Sequence, residues 1–556
     1  MEQLSLIIIV VALLAVFFGM GVAERRRYLK RVEQELKERY GKRQDKKIPS
    51  SRFECIPAYF RKHASDTAID DITWSDLEMD RLFVSMNLTC SSAGEEVLYH
   101  TLRTPLFEEK ALKARAEEIA YFKEHEDERL KLQLLFAGMG KNERYSLYDY
   151  LDFADEMQGG ESLKYHFLAP LLVLAAIIFL FVQTEIGVLG VVFSIIFNMA
   201  WYFRTKGKVQ PYIITLKVIM ADIKAATKMK QMQLPVCEAK QQELTEALGA
   251  MKGFGGGDSG IFSSGAAGGD PASLVADYIN MLLHLDLIRF YSMYRKMQQH
   301  REEIDVIHGS LGYFEMLIAA ASFEEALGAV CTPQFDGTEK ADEIWHPMIE
   351  EPVKNSYALK GSMLLTGSNA SGKSTFLKTV ALNQLLSQTL YFACADEFHT
   401  DFHRIYTSMS LRDDLEHQES YFMVEIRAMQ RILEAGAKEG AKIACFVDEV
   451  LRGTNTVERI AASTEILKYM AHQGYFCAAA THDIELTSLL EEVYENYHFS
   501  EEIKDGDVLF NYRLQEGKAQ TRNAIWLLSV MGYEESIIEH AEDLAERFLK
   551  EGVWQK

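Results

Sequence analysis

The chain has 556 residues, enough for about three or four domains and at least one large core. Its net charge of −22 means that the protein as a whole does not attract nucleic acid, so any such contact needs a local basic patch. The cysteines, Cys55, Cys90, Cys237, Cys331, Cys394, Cys445 and Cys477, are scattered, odd in number and without a Cys-x-x-Cys pair, which argues for a reducing compartment and against both a disulfide framework and a zinc site.

Leu4 to Ala23 carries no charge. About twenty residues at about 1.5 Å each reach about 30 Å, one hydrocarbon thickness, so residues 1–23 read as a transmembrane anchor. Arg25, Arg26, Arg27, Lys30 and Arg31 follow it, and that asymmetry puts the N-terminus outside and the rest in the cytoplasm. A cleaved signal peptide is the alternative, but a basic leading region and a clear cleavage site are lacking. Residues 24–52 form a basic juxtamembrane linker, helical in character and suited to anionic lipid. Residues 53–165 have apolar positions at helical spacing and few breakers, the first part of an all-α core.

Phe167 to Phe203 is apolar, broken only by Gln183-Thr184-Glu185. Lys164 and Tyr165 flank one end, and Trp201, Tyr202, Arg204, Lys206 and Lys208 the other, which predicts a transmembrane hairpin over 166–204 with both ends cytoplasmic. The alternative is a helical hairpin buried in a soluble core. The expectation is therefore three spans in the cytoplasmic membrane, with the soluble mass in the cytoplasm. Residues 205–340 read as a second helical part containing a Gly- and Ser-rich flexible loop at 253–271. From 341 to 556, short apolar strands alternate with helices, the pattern of a parallel α/β sheet.

The chemistry is concentrated there. Gly-Ser-Asn-Ala-Ser-Gly-Lys-Ser, residues 367–374, fits G-x-x-x-x-G-K-[ST], follows the apolar run Met363–Leu365 and opens a predicted helix at Thr375. Backbone N–H groups of Gly367, Ser368, Asn369, Ala370, Ser371, Gly372 and Thr375 are candidates to cradle phosphate. Lys373 is the candidate bridge between β- and γ-phosphates, and Ser374 a Mg²⁺ ligand. Asp448 and Glu449 cap the apolar run "IACFV": Asp448 is placed to bind Mg²⁺ through water, Glu449 to orient and deprotonate an attacking water. His482 ends another apolar run, "AAATHD", as a γ-phosphate sensor or, in the plainer reading, a cap.

With these residues in view, "DEVLRGTNT" and "ATHDIELTSL" resemble the MutS family, a branch of the ABC-type ATPases. Its pattern runs Asp-Glu-x-x-Arg-Gly-Thr-x-Thr, then Ala-Thr-His-x-x-Glu-Leu. "HPMIE" (His346–Glu350), "RDDLEHQESYFMVEI" (Arg412–Ile426) and "YRLQEGKAQTRNAIWLLSVMG" resemble further family segments in the right order. Upstream, "TCSSAGEEVLYHTLRTPL" is similar to the opening of the family's core domain, and "HREEIDVIHGSLGYFEMLIAAASF" to its lever helix.

The resemblance implies an α/β P-loop (ABC-type) ATPase domain preceded by an all-α core and lever domain, here combined with the three transmembrane helices. It implies ATP and Mg²⁺, a homodimer with shared sites, Ser420 reaching the partner's γ-phosphate, Asn369 on the nucleotide, and an Arg452–Thr456 loop coupling the two sites. Tyr512 stands where the family often places a ring beside adenine, although a plain core tyrosine is an equal reading. DNA binding, to mismatched or branched DNA, is the inherited activity; a membrane-coupled machine that does not act on DNA is the alternative. Two departures stand out: Glu458-Arg459 replaces the family's Asp-Gly, and the mismatch-recognition domain has no counterpart in residues 1–52.

Overall fold

The computed structural model describes residues 24, 26–142, 146–153, 166–251, 278–368, 371–409, 421–437, 442–452, 454–504, 507–519, 525, 528–529 and 531–551. The chain divides into one unit of Met1–Ala64, Phe83–Thr101 and Glu117–Ala326, and a second of Ser65–Leu82, Leu102–Ala116 and Leu327–Lys556.

The described part of the first unit is helical. Its main elements are α1 (Ser92–Arg103), α2 (Leu168–Val182), α3 (Thr184–Met232) and α4 (Arg301–Leu327). Helices α2 and α3 form a hairpin around Gln183, whose extended backbone (φ −150°, ψ 95°) ends one helix and begins the next. Small residues let the two backbones approach: a Cβ at Gly187 would lie 2.3 Å from the Leu180 nitrogen. The outer faces are apolar, with Leu171, Leu174, Phe181, Leu189, Phe193 and Ile196 exposed. Helix α3 has 49 residues and continues past the apolar stretch to Met232.

Among the described residues, two helices are long and apolar enough to cross a membrane, Thr184–Gly207 and α4, by length and composition alone. Burial separates them. The most apolar window of α4 is 83% buried and that of Thr184–Gly207 only 22%, so α4 is a core helix. Helix α2 has 15 residues, a rise of about 22 Å against a hydrocarbon thickness of about 30 Å. Leu4–Ala23 lies outside the described residues. The three spans expected from the sequence are therefore not supported.

Helix α4 packs along buried ionic groups. His308 Nδ1 lies 2.7 Å from Asp222 Oδ2 on α3, and its Nε2 lies 3.5 Å from Glu96 Oε2 on α1. Arg52 donates to Glu95 at 2.7 Å and to Glu96 at 3.3 Å. Burial acts to discharge His308, but the Asp222 and Glu96 carboxylates overcome it and lift its pKa to about 10. Glu315, about two turns further along α4, accepts from Ser91 N at 3.1 Å and from Cys90 N and the Ser91 hydroxyl, serving the N–H groups at the start of α1. Burial raises its pKa to about 7.

The second unit is mixed α/β. Its strands are β1 (Gln334–Phe335), β2 (Glu339–Ile344), β3 (Asn355–Leu359), β4 (Ser362–Thr366), β5 (Glu397–Thr400), β6 (Arg404–Ser408), β7 (Ile443–Asp448), β8 (Phe476–Ala480), β9 (Tyr494–Lys504) and β10 (Asp507–Glu516). A four-stranded sheet has the order β1-β5-β2-β3, and a six-stranded sheet β10-β9-β4-β8-β7-β6. In the larger sheet only β10 is antiparallel. Every residue of β4 and β8 is buried, which is why these strands read as unbroken apolar runs rather than as alternation.

Helices α5 (Lys373–Leu390), α6 (Tyr421–Gly436) and α7 (Thr456–His472) cover this sheet. Leu364, Cys445, Val447, Cys477 and Ala479 pack in one core with Ile432 of α6 and Leu467 and Met470 of α7. Helix α5 packs on β7 and β8. Register then places the functional loops. Leu365 pairs with Ala480, and Asp448 pairs with the same Ala480, so the C-terminal ends of β4, β8 and β7 lie side by side. Ligands bind at such strand ends in open parallel sheets.

Candidate functional site

The loop leaving β4 turns on two glycines. Gly367 has φ 147° and Gly372 φ 107°, conformations that L side chains rarely adopt. A Cβ on Gly367 would lie 2.8 Å from the Phe499 carbonyl oxygen, and one on Gly372 3.1 Å from the Tyr512 ring. Gly372 leads directly into α5, whose first residue is Lys373. The buried Lys373 ammonium donates to the carbonyls of Gly367 at 2.8 Å and Ser368 at 2.7 Å, and lies 3.5 Å from His482 Nε2. Ser371 Oγ is buried beside Gly367 and has no hydrogen-bond partner among the described residues.

From β7, Asp448 Oδ2 accepts from the Ser374 hydroxyl at 2.5 Å. The chain then enters the left-handed region at Glu449 (φ 64°) and again at Leu451 (φ 58°). Such a conformation in a residue other than glycine costs about 1–3 kcal/mol and persists only where the surroundings hold it. Here Glu449 N–H donates to the Ala480 carbonyl at 2.9 Å. One carboxylate oxygen, Oε1, lies 2.8 Å from His482 Nε2, and the other, Oε2, lies 2.8 Å from Arg452 Nε. Arg452 also donates to the Asp448 carbonyl at 2.7 Å. Burial acts to raise the Glu449 pKa, but contact with His482 and the charges of Arg452, His482 and Lys373 outweigh it and hold the carboxyl below its usual range.

A cavity of about 550 Å³ opens at this point. Ser368, Ser371, Gly372, Lys373, Ser374, Thr375, Asp448, Glu449, His482 and Tyr512 all line it, so the structure brings together most of the residues singled out in the sequence. Asn369, Ala370 and Ser420 lie outside the described residues. Tyr512 is 45% exposed, packs under Gly372 and is not a core tyrosine. Sequence reasoning did not find Phe499, whose carbonyl fixes Gly367, nor the apolar and amide lining from Ile344, Val353 and Asn355. It placed Arg452 only in a coupling loop, whereas the side chain holds the Glu449 carboxylate.

The donors suit particular chemistry. Ser374 Oγ and Asp448 Oδ2 are hard oxygens in contact, a pair suited to a small divalent cation that keeps several waters. Among the described residues no group of three or more His, Cys, Asp or Glu side chains could hold a metal, so such a cation would take its other ligands from water and a bound anion. The helix N-terminus at Lys373 and the ammonium above it favour a phosphate-like anion.

Comparison with known proteins agrees in location. Residues 363–549 match the family model of MutS domain V. The chain is 27% identical to "MutS protein homolog 4" of Homo sapiens over 292 residues, covering 49% of this chain and 30% of the relative. It is 30% identical to "DNA mismatch repair protein MutS" of Natronomonas pharaonis over 276 residues, covering 47% of this chain and 31% of the relative. It is 31% identical to "DNA mismatch repair protein MutS" of Thermus aquaticus over 204 residues, covering 36% and 25%. The matches span less than a third of the length of these relatives. Residues 363–549, the part of the chain in which the loop ends of β4, β7 and β8 gather at one cavity, are thus similar to MutS domain V.

Proposed function

We propose that this chain is a membrane-anchored MutS-type ATPase that binds and hydrolyses ATP at a site shared between two copies. The observation that carries the reading is the convergence of Lys373, Ser374, Asp448, Glu449 and His482 on one cavity. The loop 367–372 and the N-terminus of α5 hold the phosphates, and Lys373 leaves its two carbonyl partners to meet the β- and γ-oxygens. Ser374 and Asp448 would hold Mg²⁺, which when bound would neutralise charge on the phosphates. Ser371 Oγ, unpartnered, is a further donor to phosphate. Tyr512 would lie against the base, and Ser420, outside the described residues, is the proposed contact to the partner copy's nucleotide.

Glu449 acts on the water. Its lowered pKa keeps it ionised at neutral pH, which makes it a strong acceptor and a weak store for a proton. Orientation of the water is therefore its larger contribution. His482, against both Glu449 and Lys373, stands where it can report the γ-phosphate.

The hairpin α2–α3 is read as the membrane element, joined by Leu4–Ala23 as an anchor. About 17 residues separate the polar tip at Thr184 from Trp201, a rise of about 26 Å, close to one hydrocarbon thickness. The cytoplasmic membrane is the proposed location, with the ATPase unit on the cytoplasmic side. DNA, including mismatched or branched DNA, is the proposed partner, supported by the similarity to DNA mismatch repair proteins.

A second reading, a membrane-coupled machine that does not act on DNA, is supported by α3. The helix that leaves the hairpin runs unbroken to Met232 and is fastened to α4 through Asp222 and His308. ATP turnover of the detergent-purified chain, with and without duplex, mismatched and branched DNA at two salt concentrations, separates the two. Stimulation that fades with salt supports DNA. Turnover indifferent to every DNA supports membrane coupling.

A further inference from the structure

Helix α7 and the loop after β8 are tied by an ion pair that takes no part in the chemistry above. Arg459, in the first turns of α7, donates from Nε to Asp483 Oδ2 at 2.8 Å and from Nη2 to Asp483 Oδ1 at 2.6 Å. Guanidinium and carboxylate meet in two parallel bonds, an arrangement that fixes orientation as well as distance. Both side chains are largely shielded, at 24% and 15% exposure.

Asp483 directly follows His482. Its N–H donates to Thr481 Oγ1 at 3.0 Å, and Thr481 N–H donates to the Leu365 carbonyl of β4 at 2.9 Å. His482 therefore sits between one residue fastened to β4 and another fastened to α7. The start of α7 is itself capped. Asn455 caps α7 by accepting from Val457 N–H at 3.0 Å, and Arg459 N–H donates to the Asn455 carbonyl at 2.8 Å. Arg452, which holds Glu449 Oε2, lies just before that cap. The two groups that grip the Glu449 carboxylate thus come from two loops, Arg452 from the one after β7 and His482 from the one after β8.

We infer that Arg459 and Asp483 are positioning residues for ATP hydrolysis: their pair seats His482 against Glu449 and Lys373. The inference rests on the ATPase reading above. Arg459 touches none of the reacting groups and acts through Asp483 and His482.

The test uses the full-length protein in detergent and four variants: Arg459→Ala, Arg459→Lys, Asp483→Arg and the swap Arg459→Asp with Asp483→Arg. ATP turnover is measured with KM, kcat and the unfolding midpoint. The expected result is a kcat lowered about tenfold to hundredfold in Arg459→Ala, the scale of a mispositioned group, with KM for ATP changed less than about twofold. Arg459→Lys recovers part of the loss, and the swap recovers more than Asp483→Arg alone. An unchanged kcat in Arg459→Ala overturns the inference. So does a parallel fall in kcat, KM and midpoint that the swap does not rescue, because that marks a purely structural pair. A wild-type protein with no turnover overturns the ATPase reading itself; turnover that Arg459→Ala leaves intact overturns only the positioning role.

Discussion

Asp222 and His308 meet at 2.7 Å in the interior of the helical unit, joining the helix that leaves the apolar hairpin to the helix that ends at Leu327, where the α/β unit resumes. His308 is held charged because two carboxylates, Asp222 and Glu96, offset the cost of its burial. Its folded pKa, about 10, lies above the ordinary 6.5. Its contribution to stability is therefore complete below pH 6.5 and is lost as pH rises through about 10. Asp222→Ala leaves a buried cation with one distant partner and is expected to cost about 3–5 kcal/mol. The unfolding midpoint of the wild type should fall between pH 6.5 and 10 more steeply than that of Asp222→Ala; parallel profiles would show that His308 is neutral in the fold.

Two glycine substitutions should act with opposite sign. A Cβ on Gly312 would lie 2.4 Å from the Ala93 carbonyl oxygen and 2.5 Å from Val97, at the crossing of α4 and α1. Backbone cannot yield as a flexible side chain can, so Gly312→Ala is expected to destabilise by about 1–3 kcal/mol. Gly249, exposed in the helix Glu238–Ala250, has nothing within 4 Å of its added Cβ. Gly249→Ala should stabilise by up to about 1 kcal/mol through backbone entropy and helix propensity. Thermal midpoints of both variants check the pair.

Arg452 should set the acidic limb of turnover. It is one of the charges that hold the Glu449 carboxyl below its ordinary 4.5. A depressed carboxyl is ionised, and its stabilising contacts are present, above 4.5; both are lost as pH falls through the lower folded value. Arg452→Ala is expected to move the acidic limb of kcat upward. A limb that stays in place would show that Arg452 is not what keeps Glu449 ionised.

Removal of residues 1–23 should leave the chain in the membrane fraction, because the exposed apolar faces of α2 and α3 remain. Leu189→Arg and Phe193→Arg, added to that truncation, place charge on an exposed apolar face of the hairpin. Each costs about 2.5–3.5 kcal/mol at mid-membrane depth, and the double variant should partition to the soluble fraction or fail to insert. Release by truncation alone would contradict a membrane-embedded hairpin.

The site was legible where chemistry forces a spacing. Gly367 to Ser374 must follow a strand and open a helix, and Asp448 and Glu449 must end the adjacent strand, so these residues read directly from the chain. What did not read were contacts made by geometry far apart in sequence. The Phe499 carbonyl against Gly367 comes from the pairing of β9 with β4, and no residue type announces it. The Arg459–Asp483 pair needs α7 and the end of β8 to be neighbours. Burial is a further feature that apolar length alone does not give: α4 is 83% buried over its most apolar window, whereas that of Thr184–Gly207 is 22% buried. The hairpin turn at Gln183, by contrast, was visible because three polar residues interrupt the apolar run.

The measurement that tests the central claim most directly compares ATP binding and ATP turnover in wild type and Glu449→Gln, both full length and in detergent. Glutamine keeps the shape of the side chain and removes its charge. The account predicts Mg²⁺-dependent turnover in the wild type and a loss of about 10²–10⁴-fold in the variant, with ATP still bound and the dimer persistent. Equal turnover in the two proteins, or a wild type that binds no ATP, would contradict it.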